Sequence, residues 1–155
     1  MHPAFCEQLM NEQLQEALGT EGLFSPEMEL VAAAYPELYI RFLPVGGAPR
    51  LLQFECTNYD FQAIQVRPVD PDTRAPLGAD RYMTRSGGPF PGHAMLGGQP
   101  FLCLQGTRDY YTHEGHRPQV AGERWEAWRA ELTLARLLTV IKSKFRTEPA
   151  AGGWA

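Results

Sequence analysis

Three short apolar runs, crowded into residues 38–67, constrain this chain more than any other feature. They are Leu38–Leu43, Arg50–Cys56 and Phe61–Arg67. The links between them, residues 44–49 and 57–60, are far too short for a parallel crossover, which takes about a dozen residues or more. Both links are built from turn formers: Gly46-Gly47-Ala48-Pro49 in the first, Thr57-Asn58-Tyr59-Asp60 in the second. Close spacing and turn chemistry together predict an antiparallel meander. Alternation in the third run is mixed, which leaves its buried face open.

Helical periodicity stands on both sides of the meander. Phe5, Leu9, Met10, Leu14, Ala17 and Leu18 recur at spacings near 3, 4 and 7, with Glu7, Asn11, Glu12 and Gln15 between them. An amphipathic helix over residues 4–19 is predicted, with Gly19 as its C′ residue. Ser25-Pro26-Glu27 has the form of an N-cap followed by proline at N1, so a short helical segment over Pro26–Ala34 is expected. Near the other end, Trp128, Leu134, Leu137, Leu138, Ile141 and Phe145 form a wide apolar stripe, predicting one helix over Glu123–Phe145. Arg136, Lys142, Lys144 and Arg146 fall toward its C-terminal half, where cations complement the helix dipole.

Between meander and last helix the period is lost. Residues 68–100 hold six prolines and six glycines, which reads as a long irregular segment. It gives way to Phe101-Leu102-Cys103-Leu104, then to a polar stretch, Gln105–Gly122, containing His113-Glu114-Gly115-His116. The order is helix, meander, long loop, cysteine-bearing segment, polar loop, helix. That is an α+β chain with its helices segregated from an antiparallel sheet. A single domain over residues 1–147 with a loose tail over 148–155 is the expected organisation.

Composition narrows the function classes. With 155 residues, 44% hydrophobic and 21% charged, the chain has an ordinary globular balance. Its net charge of −4 lacks the basic excess of a broad nucleic-acid surface. No apolar run approaches the ~18–20 residues that cross a bilayer. Residues 1–10 lack the basic and apolar regions of a secretory signal. A reducing, cytoplasmic setting is therefore expected, with no nucleic-acid or membrane partner. Cys6, Cys56 and Cys103, an odd number at unmatched spacing, do not read as a disulfide framework. Twelve of the fourteen basic residues are arginines; Lys142 and Lys144 are the lysines. Genome composition explains such a bias, and so does a protein that handles an activated acyl group and avoids amines that would accept it.

Cys103 is the residue on which chemistry would turn. A buried packing thiol is the ordinary reading. A nucleophilic one needs a lowered pKa or a nearby base, and a donor for the oxyanion. His93, His113 and His116 all lie within thirteen residues of it. Cys103, His113 and His116, with a carboxylate as fourth ligand, are permissive for zinc. Without metal, a histidine moves the proton and Glu114 orients it or receives the proton. A solvated polar loop is the third reading, and local sequence leaves all three open.

These motifs resemble the ubiquitin-conjugating enzyme superfamily in its divergent bacterial form, over about residues 4–146. Tyr59-Asp60-Phe61 stands where that family has a Tyr-Pro turn before a strand. Phe101-Leu102-Cys103-Leu104 is similar to its apolar-Cys-Leu active-site segment, and His93 stands ten residues before the cysteine, where the histidine of His-Pro-Asn often falls. Trp125 or Trp128, followed by Leu134 and Leu137–Ile141, resembles the tryptophan and helix downstream of that site. The chain departs from the pattern at Ala94 and Met95, where proline and asparagine would fall; methionine cannot donate the oxyanion hydrogen bond. Cys103 is retained, whereas inactive variants typically lose the thiol. Bacterial members from antiphage operons, found beside ubiquitin-like proteins, activating enzymes and deconjugating peptidases, use a Cys, Glu, His, His set to which Cys103, His113, Glu114 and His116 are similar.

The resemblance implies an α+β, ubiquitin-conjugating-like fold, with the meander flanked by N- and C-terminal helices. It implies a thioester of a ubiquitin-like protein on Cys103, received from an activating-type enzyme and passed to an amine of a protein substrate. His113 and His116 would serve as donor and base and Glu114 as orienter or proton acceptor, with His93 in a lesser supporting role and no cofactor. Gly87, Gly88, Gly97 and Gly98 would let the modifier's tail approach the backbone, and the first helix would dock the activating enzyme. The other outcomes are a metal-binding module or metallohydrolase, with zinc on Cys103, His113 and His116, and a non-catalytic binding domain of the same fold.

Overall fold

The computed structural model describes residues 2–43, 49–78, 95–96, 99–100, 102, 104–112 and 120–147. Helix α1 spans Pro3–Gly19. His2 caps it, its Nδ1 accepting the Ala4 N–H at 3.2 Å, and Pro3 occupies the first turn, where no backbone donor is needed. Its inward face is Cys6, Met10, Leu14 and Ala17, spaced by three and four. Gly19 is the last helical residue rather than a left-handed C′ residue; extended Thr20 closes the helix, donating its N–H to the Ala17 carbonyl at 3.2 Å.

Four antiparallel strands follow in sheet order β1-β2-β3-β4: β1 (Met28–Ala34), β2 (Glu37–Phe42), β3 (Arg50–Glu55) and β4 (Gln65–Val69). The predicted meander is present and gains a strand at its start. Residues 28–34, expected to continue a helix, instead form β1. Met-Glu-Leu-Val-Ala-Ala-Ala is helix-prone locally, but β2 offers a full row of backbone partners two residues away across Tyr35-Pro36, and cross-strand pairing overrides propensity. The ladder runs from Met28↔Phe42 to Ala34↔Glu37, with a register shift between Leu30 and Ala32. The third run also begins later than its composition suggests. Residues 57–63 form the turn, and pairing runs from Glu55↔Gln65 to Leu51↔Val69.

Leu38, Ile40, Phe42, Leu52, Phe54 and Val66 share one face of the sheet and belong to the main core. Within the long Pro/Gly segment, β5 (Met95–Leu96) and β6 (Gln99–Pro100) pair antiparallel, Met95 with Pro100 and Leu96 with Gln99. Helix α2 (Arg108–Thr112) lies inside the polar stretch where no element was expected.

The C-terminal region departs from the single predicted helix. A 3₁₀ turn (Ala121–Glu123) leads to α3 (Trp125–Trp128), and α4 spans Leu134–Thr147. The reason is angular. At about 100° per residue, the nine steps from Trp125 to Leu134 place them on opposite faces of one continuous helix. Breaking the helix buries both against the same core. Trp125 is then pinned by its indole N–H, which donates to the Asp60 carbonyl at 2.7 Å. The start of α4 is tied by the Leu134 N–H to the Gln13 side-chain oxygen of α1 at 2.8 Å; the Tyr59 hydroxyl donates to the same oxygen at 2.6 Å.

Helices α1 and α4 pack together against the apolar face, with Leu137, Leu138 and Ile141 buried and Phe145 stacked on Phe42 at a centroid distance of 4.9 Å. Lys142 does not serve the helix dipole from solvent. It is buried, and its ammonium donates to the carbonyls of Gly22 and Leu23 at 2.6 and 2.7 Å. Among the described residues, no helix is long and apolar enough to cross a membrane.

Candidate functional site

The chain on either side of Cys103 is built by a turn. Leu102 is buried and donates its N–H to the Val66 carbonyl at 3.4 Å, running beside β4. Leu104–Thr107 then reverses direction, with the Thr107 N–H on the Leu104 carbonyl at 2.9 Å. Gly106 takes a φ of +104°, a conformation that calls for glycine, and a Cβ there would press on Leu137 Cδ1 at 3.3 Å. Its N–H donates to the Tyr111 hydroxyl at 3.1 Å.

Thr107 closes the turn. Fully buried, its Oγ1 lies 2.8 Å from the Leu102 carbonyl and 2.7 Å from the Leu104 carbonyl, and it faces the Leu104 N–H at 3.4 Å. One hydroxyl proton is shared between the two acceptors. The backbone before and after position 103 therefore converges on a single side-chain oxygen.

Helix α2 is fastened to the sheet by charge. Arg108 Nη1 meets Glu55 Oε2 at 2.6 Å, its Nε donates to the Ala63 carbonyl at 3.0 Å, and its Nη2 donates to the Thr57 carbonyl at 3.2 Å. Burial alone would raise the Glu55 pKa. Hydrogen bonds from Thr57 and the Arg108 guanidinium outweigh it, and the carboxyl is held below its ordinary value. The next residue, Asp109, is buried and accepts from Gln65 Nε2 at 3.4 Å, with Arg67 Nη2 3.7 Å away. Thr112 ends this helix, one residue before His113.

A cleft of about 370 Å³ opens between α2, the start of α3 and the turn before β4. Tyr111 and Trp125 form its aromatic side, 5.7 Å apart between ring centroids, with Arg108, Arg124 and Phe61 around them. Phe61 is 57% exposed. Burial pushes the Tyr111 hydroxyl up to about 12, only partly offset by the Gly106 N–H, so it stays protonated at neutral pH. A largely apolar cleft with a few fixed polar groups suits a side chain or short segment of a ligand.

Two of the three cysteines are withdrawn from chemistry. Cys6 and Cys56 are free thiols at 0% exposure. Burial pushes the Cys56 thiol well above its ordinary pKa, aided by the Glu55 charge, and the thiol faces the Phe54 carbonyl at 3.6 Å. Cys103, His113, Glu114, His116 and His93 lie outside the described residues, as do Gly87, Gly88, Gly97 and Gly98. The zinc alternative, Cys103 with His113 and His116, falls outside them too. Among the described residues, no group of three or more His, Cys, Asp or Glu side chains is placed to hold a metal ion. Sequence reasoning missed the structural roles of Thr107, Arg108 and Tyr111. The signal for the first two lay in Gly106-Thr107-Arg108-Asp109, a turn glycine, a hydroxyl, a cation and an anion in succession just after the cysteine.

No protein-family model matches the chain. It is similar to a Sinorhizobium fredii (strain NBRC 101917 / NGR234) protein named "Uncharacterized protein y4jH". The two are 28% identical over 151 residues, a span covering 78% of this chain and 71% of that one.

Proposed function

We propose that the protein is a ubiquitin-conjugating-type enzyme of bacterial antiphage defence. It takes a ubiquitin-like protein from an activating enzyme as a thioester on Cys103 and delivers it to an amine of a target protein. One observation carries the reading: with Cys6 and Cys56 sealed in the core, Cys103 is the remaining cysteine, and a dedicated turn fixes the backbone on both sides of it. The order of elements supports it as well. N-terminal helix, antiparallel meander, cysteine segment, tryptophan and C-terminal helix follow the arrangement that the resemblance implies. Two of its carriers also meet in space, the Trp125 indole donating to the carbonyl of Asp60 in the Tyr59-Asp60-Phe61 turn.

The chemistry proceeds in two acyl transfers. The Cys103 thiolate attacks the activated carbonyl, forming the C–S bond as the activating enzyme's thiol leaves. A lysine amine of the target then attacks the thioester, forming the amide and releasing Cys103. Negative charge grows on the carbonyl oxygen and the amine must shed a proton. His113, His116 and Glu114 supply the oxyanion donor and the proton acceptor in this reading, in place of the family's asparagine. The test is a gel of the chain after incubation with its cognate ubiquitin-like protein, activating enzyme and ATP, run with and without reductant. A reductant-sensitive adduct that disappears in Cys103→Ala is the expected result. No adduct under competent activation refutes the reading. His113→Ala and His116→Ala should slow discharge to a free amine while the adduct still forms.

A further inference from the structure

The two lysines stand two residues apart on α4 but meet different surroundings. Lys142 lies on the buried stripe between Ile141 and Phe145, 6% exposed. Its ammonium bridges α4 to the turn that follows α1, donating to the Gly22 carbonyl at 2.6 Å and the Leu23 carbonyl at 2.7 Å. Gly22 has a φ of +75°, and that turn conformation presents consecutive carbonyls to the amine. Lys144, 200° further around the helix at about 100° per residue, is exposed.

Acyl transfer to an amine has strict requirements. The nitrogen must be neutral, must offer its lone pair, and must let the acyl carbon approach within bonding distance. The N–C bond forms, the bond from the acyl carbon to its leaving group breaks, and the amine gives up a proton to solvent. The Lys142 amine, aimed at two carbonyls inside the core, cannot be approached by an acyl carbon without the helix parting from the turn. The twelve arginines carry guanidinium groups that stay protonated and do not compete.

We infer that Lys142 is a structural clip protected from acylation, and that an acyl donor reaches the exposed Lys144 first. The inference goes beyond the proposed activity and does not depend on it, because a chemical acyl donor tests it. If the chain does carry a thioester, the same asymmetry confines side-chain self-modification to Lys144.

The experiment treats the native chain with the N-hydroxysuccinimide ester of acetic acid and follows each lysine by peptide mass spectrometry. Lys144 should acetylate at least about tenfold faster than Lys142, whose reaction waits on local opening. In guanidinium the two should react alike. Lys144→Arg, an exposed substitution, should leave the native chain without lysine acetylation over the same interval. Equal rates at Lys142 and Lys144 in the native wild type, or acetylation of Lys142 in the Lys144→Arg chain at the wild-type Lys144 rate, would overturn the inference.

Discussion

The two faces of the sheet are held by different physics. On the helix-covered face, Leu38, Ile40, Phe42, Leu52, Phe54 and Val66 are all nearly or fully buried against α1 and α4. Burying apolar area is non-directional and indifferent to pH. The opposite face has a small apolar patch, Tyr39, Leu51 and Val69, with the Arg74 guanidinium 4.5 Å over the Tyr39 ring. Around it lies a network of polar side chains. Gln53 donates to Glu37 at 3.0 Å, Arg41 meets Glu29 at 2.7 Å, and Arg108 grips Glu55 beside it. The first face sets the architecture. The second attaches α2, and through it the stretch leading to His113, by contacts that respond to protons and salt.

Breaking each face should show this division. Phe54→Ala, at a fully buried position on the helix side, should cost about 3–5 kcal/mol and lower the urea midpoint equally at pH 5 and pH 7. Arg108→Ala should cost about 2 kcal/mol, because Glu55 keeps a half-buried charge after losing its partner. That loss should shrink as salt is added, which the Phe54→Ala loss should not. An Arg108→Ala chain as stable as wild type would mean that α2 is held by packing instead.

The pH dependence sharpens the same contrast. Glu55 has a folded-state pKa below its unfolded value, so its contribution is complete above the ordinary carboxylate range and is lost as pH falls through the folded value. Stability should therefore fall on acidification, and Glu55→Gln should flatten that limb while lowering stability at pH 7. Identical acid limbs for the two chains would contradict the assignment. The smallest effect is expected at Arg41–Glu29, whose side chains are 30% and 54% exposed. Arg41→Ala should change the unfolding free energy by about 0.5 kcal/mol or less, measured by the same urea titration.

Legibility in the sequence followed the range of the interactions. The meander could be read because its links are too short for a parallel crossover, even with β4 starting as late as Gln65. Helix α1 could be read because its burial repeats every three or four residues. Strand β1 could not, since its helix-prone residues take their conformation from β2. The break before α4 was legible in principle. Trp125 and Leu134 cannot share one face of a straight helix, yet each suits the core. Lys142 looked like a dipole partner because its acceptors, Gly22 and Leu23, lie about 120 residues away in the chain. The same distance problem hid α2's anchorage, since Arg108 reaches back to Glu55. Around the candidate site, the cysteine and its histidines were visible as residue types. The turn that Gly106 and Thr107 build beside the cysteine was signalled by their residue types, but its hydrogen bonds to Leu102 and Leu104 needed three dimensions.

The central claim is that Cys103 carries an acyl group. Site-mapped intact-mass analysis after incubation with the cognate ubiquitin-like protein, its activating enzyme and ATP tests it most directly. The account predicts one modifier per chain, joined to Cys103 through a bond that thiols cleave, with Cys6 and Cys56 unmodified. An unmodified chain under conditions that charge the activating enzyme, or an adduct that persists in Cys103→Ala, would contradict it.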